Sequence, residues 1–162
     1  MKLLLTALVR PHLESGNVVW TPCLLKDRLF FIEGVQRRAT KLVPGLTEPD
    51  YSERLKSMDL PSMKYRRERG DIIETCKYIH GFYSVNNSLL KIDVETVRRG
   101  HKYKLRCPTS LRQKCFAFRD VDNWNSLPSD VVDAPSLQAL KSRLAEIWQN
   151  KKFLHRVCLP TQ

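Results

Sequence analysis

The strongest hydrophobic pattern in the chain lies in residues 24–43. Apolar side chains recur there at alternating steps of three and four residues, which is the spacing of one face of a helix. Glu33 and Arg37 are spaced to form a favourable pair on that helix, and Pro44 followed by Gly45 is typical of a helix end. The pattern therefore predicts a helix that buries Leu25, Leu29, Ile32, Val35, Ala39 and Leu42.

A second helical pattern runs through residues 61–83, with Ser62 as its predicted N-cap. Its first half is basic, although the N-terminus of a helix already carries positive charge, so we expect an anion or an acidic surface nearby. This end is either the solvated face of a core helix or a helix end that contacts phosphate. The basic turns contain Lys64, Arg66, Arg67 and Arg69, and the apolar stripe that follows contains Ile72, Ile73, Cys76, Ile79, Phe82 and Tyr83.

The remaining patterns complete a mainly α-helical fold: a helical bundle with a small β-hairpin and a C-terminal helix. A short helix is predicted at residues 50–58, and Pro11 is expected to break or bend the helix that opens the chain. Apolar and polar residues alternate in two stretches that fit the strands of a hairpin. The hairpin would contain Tyr103, Leu105 and Cys107 opposite Phe116 and Phe118, and the last helix would begin near Ser136 and bury Leu137, Leu140, Leu144, Ile147 and Trp148.

Composition and charge limit the classes of function that this chain can have. In a chain of 162 residues, 42% hydrophobic residues suffice for a packed core, and a net charge of +11 indicates an anionic partner, most readily nucleic acid. The five cysteines are scattered and odd in number, so we expect reduced thiols in an intracellular protein, nuclear or cytoplasmic. The apolar run at the start stops at Val9, which fits a helix better than a signal peptide. No membrane partner is expected.

Residues 98–119 form the most basic stretch, and they include no Asp or Glu. Cations neutralise phosphates, and aromatic faces stack on unpaired bases, so the mixture of the two is what a surface that follows a nucleic-acid strand requires. The alternative is that the aromatic residues are core and the charges line the outer face of a hairpin. The cations are Arg98, Arg99, Lys102, Lys104, Arg106, Arg112, Lys114 and Arg119, interleaved with His101, Tyr103, Phe116 and Phe118.

No motif in the sequence indicates catalysis, a metal or a cofactor. No two cysteines have the C-x-x-C spacing, and His155 with Cys158 supplies only half of a zinc site. The sequence also has no glycine-rich phosphate loop and no nucleophile motif. We therefore predict no catalytic residue, no metal ligand and no cofactor.

Five stretches, in order along the chain, resemble one protein family. They are LVRPHLESGNVVW at 8–20, VQRRATKLVPGL at 35–46, YSERLKSMDLPSMKYRRERGD at 51–71, RGHKYKL at 99–105 and NWNSLPSDVVDAPSLQALKSRL at 123–144. Together they are similar to the segment downstream of the polymerase active site in reverse transcriptases of LINE-type (non-LTR) retrotransposons, particularly the jockey and chicken-repeat kinds. Where that family usually has an aromatic residue, this chain has Ser15.

The resemblance implies a division of the chain and an absence of polymerase chemistry. Residues 1–84 would form a helical thumb-like region, 85–97 a linker, 98–150 a C-terminal extension with the hairpin and last helix, and 151–162 a flexible tail. Polymerases of this family hold two metal ions on an aspartate pair in an F/Y-x-D-D motif. The sequence Asp120-Val121-Asp122 does not match that motif, so the chain resembles an inactive remnant or a reused fragment of such an enzyme.

The function expected is binding of RNA, DNA or an RNA–DNA duplex without enzymatic activity by this chain alone. One alternative is a protein-interaction module, with an exposed apolar patch on residues 1–20 that meets the missing palm and fingers or another protein. Another is a non-functional product. The expected nucleic-acid contacts are Arg37, Arg38, Lys41, Lys64, Arg66, Arg67, Arg98, Arg99, Lys102, Lys104, Arg106, Arg112 and Lys114, with Tyr103 and Phe116 as stacking platforms.

Overall fold

The computed structural model describes residues 2–19, 27–83, 90, 92–93, 100–106 and 119–153, and these are mainly helical, as predicted. They divide into two units. The first contains Met1–Arg67 and Gln149–Gln162, and the second contains Glu68–Trp148. Within the described ranges, no helix is both long and apolar enough to cross a bilayer.

The boundary between the units differs from the division expected from the sequence, which kept residues 1–84 together. The second half of the central helix belongs with the later elements, because its side chains pair with them. Asp71 is ion-paired with Arg119, and His80 Nε2 lies 3.2 Å from the carbonyl oxygen of Val132. These contacts are far apart in sequence, and no local pattern signals them.

The chain opens with a helical segment that continues past Pro11. It consists of α1 (Lys2–Leu4), a π-helical turn (Leu5–Val9) and α2 (Arg10–Glu14). A proline inside a helix clashes with the carbonyl four residues earlier, and a wider π turn before it gives that ring room. Pro11 therefore distorts the helix, as expected, but the helix ends only at Glu14.

The predicted helix at 24–43 is described from residue 27 onward. It consists of a π-helical stretch (Arg28–Glu33) followed by α3 (Gly34–Lys41). The short helix α4 (Tyr51–Ser57) follows, and it begins with a capping box in which Asp50 and Glu53 each accept a backbone N–H. This confirms the short helix predicted at residues 50–58.

Helix α4 ends on an aspartate in the left-handed conformation. Asp59 has a φ of 45°, and its N–H donates to Lys56 at 3.0 Å. The N–H of Leu60 donates to the carbonyl oxygen of Leu55 at 2.8 Å. These two bonds define a Schellman motif, whose usual residue at this position is glycine. The side chains of Leu55 and Leu60 are both buried in the core of the first unit.

The central helix α5 (Met63–Ile79) begins as predicted, since the Oγ of Ser62 accepts the N–H of Tyr65 at 3.2 Å. It starts in the first unit and continues in the second. Gly81, with a φ of 71°, ends it. Of the predicted stripe, Ile72, Ile73 and Cys76 are buried and Ile79 is half-buried, whereas Phe82 and Tyr83 lie beyond the helix end and are exposed.

Cys76 is the only cysteine in the described part of the chain. It is buried and forms no disulfide, and burial raises the pKa of its thiol to about 11. This agrees with the expectation of a reduced thiol at this position. Cys23, Cys107, Cys115 and Cys158 lie outside the described residues.

The core of the first unit gathers residues from both of its chain segments. Phe153 packs against the cluster of Leu5, Tyr51, Leu55 and Leu60. The N–H of Ser62 donates to the carbonyl oxygen of Lys152 at 2.9 Å, and the ammonium of Lys152 lies 2.6 Å from Asp59 Oδ1. Lys152 and Phe153, the second and third residues of the predicted flexible tail at 151–162, therefore pack on this unit. Residues 154–162 lie outside the described chain.

The second unit contains α6 (Val121–Asn125), α7 (Ser129–Val132) and α8 (Leu137–Ile147), and a short 3-10 turn (Gln149–Lys151) follows in the first unit. Helix α8 begins next to Ser136, as predicted, and the Oγ of Ser136 caps it by accepting the N–H of Ala139 at 3.1 Å. The prediction that α8 buries Ile147 is wrong, because this side chain is exposed. The fully buried side chains of the unit include Ile72, Val121, Trp124, Val131, Val132, Leu140 and Leu144.

Residues 100–106 are held against α6. The indole of Trp124 donates to the carbonyl oxygen of Tyr103 at 2.8 Å. The amide of Asn125 accepts the N–H of Leu105 at 2.8 Å and donates to its carbonyl oxygen at 2.9 Å. Leu105 also pairs with Ile92 in one antiparallel bridge, the only β pairing among the described residues. The predicted hairpin partners, Cys107, Phe116 and Phe118, lie outside them.

Candidate nucleic-acid interface

Helix α3 and the π turn before it bury polar residues and expose apolar ones. Glu33, Gln36 and Thr40 are buried, whereas Val35 is 37% and Leu42 is 71% exposed. The prediction that Val35 and Leu42 are core residues is therefore wrong. Of the predicted stripe, Ile32 is buried and Ala39 packs on the core, while Leu25 and the side chain of Leu29 lie outside the described residues.

A hydrogen-bond network explains why the polar face of α3 points inward. The amide of Gln36 donates to Tyr51 Oη at 3.1 Å and accepts from Arg10 Nε at 3.1 Å. Both Arg10 and Gln36 also donate to the carbonyl oxygen of Pro61, at 2.7 and 3.2 Å. At the other end, Thr40 Oγ1 accepts from Arg54 Nε at 3.3 Å. Buried polar groups are tolerated when they are paired in this way.

Glu33 supplies the anion expected at the start of α5. Its carboxylate accepts the N–H groups of Met63 and Lys64 at 3.4 and 3.2 Å, and the hydroxyl of Tyr51 at 2.5 Å. A negative carboxylate at this position interacts favourably with the positive end of the helix dipole. Burial raises the pKa of Glu33 above its usual value, and burial together with the Glu33 charge raises the pKa of Tyr51.

Most of the basic residues that open α5 are engaged inside their own units. The guanidinium of Arg66 forms an ion pair with Glu14, with Nη2 and Oε2 2.7 Å apart. Arg67 is buried and donates to the carbonyl oxygen of Leu13 at 2.8 Å. Lys64 is half-buried. Arg66 and Arg67 are therefore engaged by partners within the first unit, which is neither the solvated face nor the phosphate contact that the sequence left open for this helix end.

The exposed cations of the first unit lie on α3. Arg37, Arg38 and Lys41 are all exposed, and none of them forms an ion pair with another described residue. The guanidinium of Arg37 lies 5.0 Å from the centre of the Tyr51 ring, a cation–π contact. Within residues 30–42 the only acidic residue is Glu33, and it is buried. The charged groups on the outward face of this segment are therefore all cations.

In the second unit, the described part of the basic stretch carries two exposed cations, Lys102 and Arg106. Lys102 lies 3.5 Å from Asp133 Oδ1 and over the Tyr103 ring at 5.0 Å. Lys104 and Tyr103 are half-buried, and the Tyr103 ring packs on His80 with centroids 5.1 Å apart. The other predicted contacts, Arg98, Arg99, Arg112, Lys114 and Phe116, lie outside the described residues.

The side chain of Arg119 is buried and does not line the basic surface predicted for residues 98–119. Its guanidinium makes a buried two-point ion pair with Asp71, with Nη2–Oδ1 and Nε–Oδ2 distances of 2.5 and 2.9 Å. The inclusion of Arg119 in a strand-following surface was therefore wrong. Sequence spacing gave no sign of this contact, because the partner is 48 residues away.

A buried carboxyl pair lies beside this ion pair. Asp120 faces Asp71 within hydrogen-bonding reach, its Oδ1 accepts from Asn123 Nδ2 at 3.0 Å, and Glu68 is also near. Burial, the hydrogen bond with Asp71 and the charge of Asp71 raise the pKa of Asp120 from its ordinary value of 3.8 to about 8. No metal-ligand cluster of three His, Cys, Asp or Glu side chains occurs in the described part of the chain.

Two exposed aromatic residues were missed from the sequence. Phe30 and Phe31 are 68% and 67% exposed, on the turn that leads into the cationic face of α3. The available signal was that both fall off the apolar stripe of residues 24–43.

No protein-family model, curated protein or solved structure matches this chain.

Proposed function

We propose that this chain binds nucleic acid through phosphate contacts made by Arg37, Arg38 and Lys41, and that it has no polymerase activity by itself. The observation that carries the proposal is the cationic face of α3, with three exposed cations and no exposed acid. Phosphate oxygens are the groups that such a face attracts most strongly, and binding releases condensed counterions. The ligand would be RNA, DNA or an RNA–DNA duplex.

The resemblance to LINE-type reverse transcriptases supports the same class of ligand. Residues 35–46 include the three cations and form one of the five similar stretches, so they would belong to a thumb-like region of a polymerase. The aspartate pair of that family has no counterpart in the sequence. The proposal therefore treats the chain as an inactive segment that keeps a binding surface, in the nucleus or cytoplasm.

Salt dependence of binding tests this proposal. Each phosphate contact contributes about 0.7–0.9 to the slope of log affinity against log salt. The variant Arg37→Gln/Arg38→Gln/Lys41→Gln should lower that slope by about 2 and weaken binding to all sequences alike. As a control, Lys2→Gln/Lys56→Gln removes two exposed charges elsewhere in the first unit and should leave the slope nearly unchanged. A triple variant with the parental slope would refute the assignment.

One observation favours a second candidate function, a protein-interaction module. Leu3, Leu4 and Leu8 are 81%, 57% and 62% exposed, on the segment where the sequence placed an apolar patch for that alternative. The palm and fingers of a LINE-type reverse transcriptase are the partner to test. Sedimentation of the mixture should show a complex that Leu4→Gln/Leu8→Gln abolishes. If the chain binds neither nucleic acid nor this partner, it is a non-functional remnant.

A further inference from the structure

Phe30 and Phe31 expose most of their ring surface to solvent in the described structure. Exposed large apolar residues that cluster mark a binding surface more often than chance placement does. The hydrogen-bond network around Glu33 and Gln36 fills the inner face of this helix, so the two rings lie on its outer face. The presence of two aromatic residues at these outward positions needs a separate explanation.

The rings share their side of the helix with cations. Phe31, Val35 and Arg38 follow one another at steps of four and three residues, so they lie along one stripe. At a rise of about 1.5 Å per residue, Phe31 and Arg38 are separated by about 10 Å along the helix axis. Exposed aromatic side chains at one end of this segment and cations at the other thus span a length that can contact several groups of one ligand.

Charge decides between the possible occupants of this face. A second copy of the chain would bring Arg37, Arg38 and Lys41 against the same three cations, since a two-fold interface joins a surface to itself. A polyanion is attracted instead. Among polyanions, a duplex offers phosphates but keeps its bases stacked, whereas a single strand offers phosphates and unpaired bases together.

We propose that this face binds single-stranded nucleic acid in preference to duplex, with bases stacked on Phe30 and Phe31 and phosphates on Arg37, Arg38 and Lys41. This inference rests on the proposed function and adds the strandedness of the ligand. Stacking on aromatic side chains tolerates any base, so the preference is for single strands and not for a sequence.

The test compares a short oligouridylate with a duplex of the same length. Phe30→Ala/Phe31→Ala should weaken binding of the single strand by at least about tenfold and binding of the duplex by less than about twofold. Phe82→Ala is the matched control, because Phe82 is 61% exposed in the second unit, and it should change neither affinity. Phe31→Trp should keep the affinity, and the oligouridylate should quench the fluorescence of this variant more than that of the parent chain, which contains three tryptophans.

The outcomes separate this inference from the function on which it rests. If the parent chain shows no salt-dependent binding to either ligand, both fail. If the parent binds but the double alanine variant loses both ligands equally, or neither, only the single-strand inference is overturned. The inference is also overturned if the double variant keeps the oligouridylate but loses an acidic amphipathic peptide, since the face would then be a protein site.

Discussion

Replacing Asp120 with asparagine should stabilise the second unit. The carboxyl of Asp120 is buried against that of Asp71, and no donor group among the described residues bonds its Oδ2. An asparagine has nearly the same shape and carries no charge. Its carbonyl oxygen can accept from Asn123, and its NH₂ can donate to Asp71, which remains paired with Arg119.

The magnitude follows from the pKa of Asp120. The unfolded chain releases this proton near pH 4, whereas the folded chain holds it to a pKa of about 8. The contribution of the group to the unfolding free energy therefore falls as pH rises from about 4 to about 8, and is level above that. At 1.36 kcal/mol for each pH unit, the ceiling is about 6 kcal/mol. Because the new amide must also pack and hydrogen-bond among its neighbours, we expect Asp120→Asn to raise the free energy of unfolding by ~2–4 kcal/mol at pH 8.

Urea unfolding at pH 5, 7 and 8.5 measures this effect in a Trp20→Phe background, in which Trp124 and Trp148, both buried, supply the fluorescence signal of the second unit. The gain should be largest at pH 8.5 and small at pH 5. Asp122→Asn is the control, because Asp122 is exposed on the same helix, and it should change little. Destabilisation by Asp120→Asn at pH 8.5, or an unchanged pH dependence, would refute the reasoning.

Three other outcomes are expected. Asp59→Gly should be more stable to urea than Asp59→Ala by about 1 kcal/mol, because both lose the ion pair with Lys152 and only glycine relieves the positive φ; equal stabilities would contradict this. Ser136→Ala should cost about 1 kcal/mol by loss of the α8 cap, while Ser142→Ala, exposed within that helix, should cost much less; equal costs would argue against the cap. Purified protein should extend no primer on an RNA template with Mg²⁺ or Mn²⁺, and incorporation above a heat-killed control would overturn the proposal of an inactive segment.

Local signals predicted the helix ends well. Ser62 was predicted as an N-cap and Ser136 as close to the start of the last helix, and the hydroxyl of each accepts a backbone N–H of the helix that follows it. The interior stripe of α5 was also confirmed, because Ile72, Ile73 and Cys76 are buried at helical spacing. These features depend on residues within one or two helical turns of each other, so they can be predicted from the local sequence.

The orientation of α3 could not be read in the same way. Its apolar period predicted burial of Val35 and Leu42, but the buried face is set by Arg10 and Tyr51, which bond Gln36 from distant parts of the chain. In the candidate site, Arg37, Arg38 and Lys41 were predicted as an exposed cluster and are exposed. Phe30 and Phe31 were missed, although their position off the apolar stripe of residues 24–43 indicated exposure.

Ultraviolet crosslinking of a bound oligouridylate, followed by mass spectrometry of tryptic peptides, tests the central claim most directly. It reports which residues touch the nucleic acid without any substitution. The account predicts crosslinked nucleotides on the peptide of residues 29–37, which contains Phe30, Phe31 and Arg37. Crosslinks confined to residues 100–106, with none on residues 29–41, would contradict it.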